Sequence, residues 1–554
     1  MSQTPKHLLH KIFEAKEKGW KQLNLSSYPI FSSDRSLSLK LNEIPSELFE
    51  LEQLESLDLS GHNIKEIPDR ISLLSSLKSL KLAKNPLKKS PDLVSALPNL
   101  VYCELSWQEY WALPEWCNRV RELALYLRFN DIEAIPESIT NLVNLIHLDL
   151  GNNQITSIPK SITNLVNLTH LDLGDNKLKT IPDAIAHLVN LTHLDLEENQ
   201  LTMIPESIGN LVNLNHLVLG YNQITTLPES LANLIHLTQL HLEYNQITTI
   251  PDAIANLTNL THLYLGDNQL TTLPAPITQL INLTYLDLGH NQITVIPESI
   301  ANLVNLTHFD LEDNEITAIP KSIANLANLT NLDLGSNRIT SIPESISNLV
   351  KLTRLYLGHN QLTTFPESIT NLVNLTYLGL GNNQLTTLPE SIAKLVKLTH
   401  LYLHRIQITV VPEAIANLIN LTYLGLGNNQ LTTIPEYITR LVNLTGLNLS
   451  HNQIKIIPES ISNLVNLTNL NLYNNQITAI PEAIANLGNL TYLNLENNQI
   501  TTIPESITHL ANLTHFHLRK NPLEVPPLEV AERGIASIRE FFQQNLEEGG
   551  KRND

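Results

Sequence analysis

Cysteine is scarce: Cys103 and Cys117 are the only two in 554 residues. That is too few for a disulfide-stapled secreted module, and their spacing fits no metal-binding pattern, so neither a metal nor a cofactor is expected. Long apolar runs are missing as well. Lys6, Lys11, Lys16, Lys18 and Lys21 interrupt the N-terminus, and no stretch reads as a signal peptide or membrane span. A cytoplasmic protein with no membrane partner is the expectation, and sequons such as Asn167-Leu168-Thr169 then carry no sugar. Positive charge is short too: 35 Lys and Arg face 54 Asp and Glu, and residues 135–518 alone hold 12 basic against 29 acidic side chains. An acidic body lacks the phosphate attraction that nucleic-acid binders rely on, so that partner is excluded. No G-x-x-x-x-G-K-[ST] loop and no nucleophile–base pair at usable spacing occurs, which excludes catalysis by this chain.

What the sequence has is repetition. The pattern L-x-x-L-x-L-x-x-N-x-[IL]-x-x-[IL]-P-x-x-I-x-x-L-x-N recurs every 23 residues, eighteen times without insertion or deletion from Asn130 to Asn521. Weaker units place His62, Asn85 and Gln108 in the asparagine slot, one residue is missing before Asn130, and a degenerate unit is possible near 39–45. In residues 145–167, Leu148 and Leu150 alternate as a strand does, while Leu145, Ile155, Ile158, Ile162 and Leu165 add apolar positions that one unit cannot bury alone. Burying each side chain is worth roughly 1.5–3 kcal/mol against an ordering cost of about 1–2 kcal/mol per residue, so a single unit fails and a stack succeeds. Pro159 fixes φ where the chain leaves the strand, and a short helical turn is expected after it.

This register resembles the leucine-rich repeat. The resemblance implies an α/β solenoid: a right-handed horseshoe with a concave parallel β-sheet, short helical or 3-10 segments on the convex side and helical caps. It also implies a buried ladder of amides bonding turn backbone, formed by Asn153, Asn176, Asn199, Asn222, Asn245, Asn268, Asn291, Asn314, Asn337, Asn360, Asn383, Asn429, Asn452, Asn475 and Asn498, and interrupted by Ile406. The chain divides into a helical cap at 1–22, degenerate repeats at 23–129, regular repeats at 130–527 and a C-terminal cap and linker at 528–554. Leu8, Leu9, Ile12 and Phe13 are expected to face inward at one end, and Val530, Ile535, Ile538, Phe541 and Phe542 at the other. Period 23 with Ile/Leu-Pro after the asparagine looks like the Ras-group subclass, and "LRKNPLEVPPLEVAERGIASIREFFQQNLEEGG" resembles the junction that precedes the GTPase domain of Roco proteins.

Two positions per strand leave the sheet and vary while the leucines do not. They suggest an acidic zone (Asp149, Asp172, Asp195, Glu197, Glu198, Asp287, Asp310, Asp333) suited to a partner with a basic surface. They also suggest an anchor patch of Arg354, Tyr356, Tyr377, His400, Tyr402 and Tyr423, residue types that dominate interface hot spots, with hollows expected at Gly379 and Gly425. His-x-Asp pairs at 147/149, 170/172, 193/195 and 308/310 are expected to set imidazoles beside carboxylates, with binding sensitive to pH between about 5 and 7. Ile406 reads either as drift in a redundant array or as a functional kink. The resulting expectation is a non-catalytic scaffold that recognises a protein partner in intracellular signalling. The alternatives are the regulatory arm of a longer Roco-type GTPase/kinase and a structural spacer.

Overall fold

A computed structural model describes residues 4–27, 40–107 and 113–550. Gln108, residue 39 of the possible degenerate unit, and the last four residues of the linker lie outside them. The chain forms two compact units, Met1–Gln269 and Leu270–Asp554.

In the first unit the described strands run from Gln22–Asn24 to His262–Tyr264, and each pairs in parallel with the next. The second repeats this arrangement from Tyr285–Asp287 to His515–His517. Equivalent residues of successive repeats face each other, as His170 does His193. Most strands of the regular repeats are three residues long: in His170–Asp172 the flanking pair is half-exposed and Leu171 enters the core. Leucine and isoleucine fill that core almost alone, successive repeats stacking within each unit.

Opposite the sheet, five-residue 3-10 turns such as Lys160–Asn164 close each repeat. Pro159 (φ −72°) opens this one, its carbonyl accepts the N–H of Ile162 at 3.1 Å, and Ile162 drives into the core. A 23-residue repeat leaves room for one tight turn, which is where 3-10 geometry is favoured.

The turn leaving each strand explains the asparagine. Asn245 is buried; its Nδ2 donates to the carbonyls of Leu219, Leu242 and Glu243 at 2.9–3.2 Å, and its Oδ1 accepts the N–H of Ile224 at 2.9 Å. One amide thus satisfies turn groups of its own repeat and the preceding one, which buried backbone requires. His62 does the same with an imidazole: Nε2 lies 2.8 Å from the Leu25 carbonyl and Nδ1 accepts the N–H of Leu41 at 3.3 Å. Asn130, in the first slot of the regular array, does not bond in this way: it is half-exposed and its Nδ2 turns to the Arg128 carbonyl. Phe129 and Asp131 both adopt left-handed φ there, and the sheet register shifts between Leu123 and Ala124. The same signature surrounds Ile406, where Arg405 (φ 54°) and Gln407 (φ 64°) are both left-handed and the isoleucine is fully buried.

The N-terminal helix, Lys6–Lys18, buries Leu8, Ile12 and Ala15, whereas Leu9 is half-buried and Phe13 stays 50% exposed, a rotation away from the expected face. At the other end the expected single helix is two, Leu528–Ala531 and Ile535–Gly550, broken at Gly534, whose φ of +95° suits glycine. Ile538 is buried there, while Val530, Ile535, Phe541 and Phe542 are half-buried. Arg539 donates to the Thr508 and Leu510 carbonyls, closing the last 3-10 turn.

Candidate recognition surface

In the first unit the open sheet face carries an imidazole column and a carboxylate column. His147, His170, His193 and His216 stack on one another, with ring centroids 5.2, 4.1 and 4.4 Å apart. Parallel in-register pairing dictates this, since equal positions of successive repeats must align. Thr192 Oγ1 donates to the Thr169 carbonyl at 3.0 Å and lies 2.9 Å from His193 Nδ1, so its one proton is spent and Nδ1–H must be the donor. The neutral ring then offers Nε2 as an acceptor. His216 follows Asn215 instead of threonine, and its Nδ1 is buried without a partner. Burial and the neighbouring rings hold His170 below its ordinary pKa and bring His193 down to about 4, so His193 titrates below the pH 5–7 window. Among the described residues no three His, Cys, Asp or Glu side chains converge as a metal site.

The aspartates are less free than the sequence suggests. Asp149, Asp172 and Asp195 each accept the backbone N–H two residues on, at 2.9–3.0 Å, and so shape the turn. Arg128, outside the expected site, spans Asp149 through Nε at 2.8 Å and also pairs with Asp172. It neutralises that end of the zone. Burial raises the pKa of Asp149 and Asp195, and of Glu197 beside Asp195, while Glu198 occupies a left-handed turn position.

The second unit carries the remaining acids and all of the tyrosine patch. Asp287, Asp310 and Asp333 stand in register and also hold their own turns, at 2.8–2.9 Å. Burial first, then Asp310 and Glu312, pushes Asp333 up to about 7. Beyond it, pairing aligns Arg354, Tyr377, His400 and Tyr423 in one column and Tyr356 and Tyr402 in the other. Ring centroids of Tyr356, Tyr377, Tyr402 and Tyr423 follow at 4.4, 5.0 and 4.8 Å. The expected hollows are filled: a Cβ on Gly379 would meet the Tyr377 ring at 3.5 Å, one on Gly425 the Tyr423 ring at 3.2 Å, and one on Gly446 that same ring at 2.7 Å. Glycine lets the rings lie down, giving a continuous aromatic plaque.

One aromatic feature went unread in the sequence. The residue before each ladder asparagine is left-handed, and in that column Tyr221 and Tyr244 stack at 4.1 Å while remaining 43% and 46% exposed. Their 23-residue separation was the available signal. Cys103 and Cys117 are buried free thiols, and burial raises both above the ordinary thiol range.

Comparison with known proteins agrees with this construction. The Leucine rich repeat model matches residues 124–178, 274–316, 304–362, 407–454, 419–477 and 465–523, and the Leucine-rich repeat region model matches 177–272 and 202–291. No curated protein matches the chain. Among solved structures, an LRR protein of Leptospira interrogans is 34% identical (TM-score 0.59), the match covering 75% of this chain and 93% of that one. The Arabidopsis receptor kinase HAESA, solved with the peptide hormone IDA and the co-receptor SERK1, is 30% identical (TM-score 0.67; 93% and 89% covered). The plant peptide hormone receptor RGFR1, in complex with RGF2, is 30% identical (TM-score 0.65; 87% and 84% covered). Repeat register, asparagine ladder and these matches together show that the chain belongs to the leucine-rich repeat family.

Proposed function

We propose that the chain is a recognition scaffold that binds a protein or peptide through the open face of its sheet, with the tyrosine plaque as the anchor. The observation that carries this is the plaque itself: Tyr356, Tyr377, Tyr402 and Tyr423 form one half-exposed aromatic surface with His400 between Tyr377 and Tyr423 and Arg354 at its edge. Leu355, Leu378, Leu401 and Leu424 already hold the plaque strands in the core, so aromatic area beyond the core's needs has its use in a contact. That HAESA and RGFR1 were solved with peptide hormones supports a peptide or protein ligand. Carboxylates beside the plaque favour a basic partner surface.

The Ras-group register and the Roco-like C-terminal stretch favour a cytoplasmic signalling role, either as a free scaffold or as the sensing arm of a GTPase. The test is affinity capture with the full chain and with Y356A/Y377A/Y402A, followed by cross-linking of the captured partner. Loss of capture with unchanged melting supports the assignment. Undiminished capture refutes the plaque as the anchor.

A further inference from the structure

Resting on that reading, a more specific element lies beside the plaque. The first exposed column runs Tyr285, His308, Asn331, Arg354, and the second Asp287, Asp310, Asp333, Tyr356. Asn331 is far shorter than the neighbours on either side of it. A hollow of about 200 Å³ opens there, lined by Tyr285, His308, Asp310, Asp333 and Tyr356 around it. Tyr285 and His308 stack at 5.5 Å along one wall. Asp310 and Asp333 each commit one oxygen to the turn, and among the described residues the second carries no hydrogen bond.

We propose that this hollow seats one guanidinium or ammonium group of the partner, a basic side chain held by the two carboxylates and covered by the tyrosine rings. The shape suits such a group: acceptors lie side by side, as a bidentate guanidinium requires, and aromatic faces attract a desolvated cation. A metal ion fits poorly, because these side chains do not converge as ligands. Arg354, on the neighbouring strand, forms no ion pair with either aspartate among the described residues.

The site also carries a titration signature. The charged groups facing Asp333 are Asp310 and Glu312, both acidic, with His308 on the same strand as Asp310, Tyr285 on the strand beyond, and Arg354 and Tyr356 on the other side. Burial and that acidity keep Asp333 partly protonated up to about pH 7. A bound cation favours its ionised form, so binding releases a proton and strengthens as pH rises through 7.

The experiment titrates the full chain with a capped pentapeptide bearing one arginine among glycines, and with its alanine counterpart, by calorimetry at pH 6 and 8. The expected result is binding of the arginine peptide only, tighter at pH 8, with proton release seen as a buffer-dependent heat. D310N and D333N should each weaken it roughly tenfold. Both fold safely, since Asn448, Asn471 and Asn494 hold the same turn at the same strand position. Equal binding of the two peptides, no binding of the arginine peptide, or wild-type affinity in D333N overturns the proposal. If the peptide fails while capture still depends on the tyrosines, the hollow falls and the recognition surface stands; the reverse result separates them the other way.

Discussion

Thr192 fixes the tautomer of His193: its hydroxyl donates to the Thr169 carbonyl, so the imidazole Nδ1 2.9 Å away must be the donor. Thr169–His170 and Thr399–His400 show the same short contact. The open face therefore presents Nε2 lone pairs, acceptors that suit the same cationic partner as the aspartates.

The stack makes stability depend on pH. His193 titrates at about 4 in the fold and near 6.5 unfolded, so below about 6.5 the unfolded chain takes up a proton that the fold refuses. Stability is complete above that value and is lost as pH falls toward 4. Melting at pH 7.5 and 5.0 should show a smaller drop in H193N than in the wild type. Asparagine already occupies this strand position at Asn331 and Asn469. An equal drop in the two proteins would contradict the shift.

Asp333 slopes the opposite way. Its folded pKa near 7 lies above the unfolded value of about 3.9, so its contribution is present at low pH and is lost as pH rises through 7. D333N should flatten the fall in denaturant midpoint between pH 5 and 8.

Removing one rung of the ladder should be costly. Asn245→Ala strands the Ile224 N–H and three carbonyls in the core, and a loss of roughly 2–4 kcal/mol is expected from urea unfolding. A change below about 0.5 kcal/mol would mean that the turn relaxes to water.

Ile406→Asn supplies the amide that the neighbouring turns use at Asn383 and Asn429, so stability should rise by about 1 kcal/mol. If it rises and capture is unchanged, Ile406 is drift. Lost capture would make the altered turn functional.

Gly446→Ala places a Cβ 2.7 Å from Tyr423 Cδ2 and must lift that ring from the plaque. Capture should weaken severalfold while unfolding shifts by about 1–3 kcal/mol at most. Unaltered capture would take Tyr423 out of the anchor.

Much of this was readable in one dimension. The 23-residue period gave the strands, the proline-led turns, the asparagine slots and the columns of exposed residues, because each depends only on which residue stands where in its repeat. The period also announced the two breaks, at Asn130 and Ile406. Less legible were the helical ends, where no repeat constrains rotation, so Ala15 rather than Phe13 packs inward.

The sequence by itself determined the architecture, since apolar positions at a fixed period can be buried only by stacking like on like. Only the tertiary structure decided how the exposed columns behave, because their chemistry depends on neighbours 23 residues away. Stacking laid Tyr423 over Gly446, drew Arg128 across Asp149 and Asp172, and opened a hollow where Asn331 is too short to fill its place.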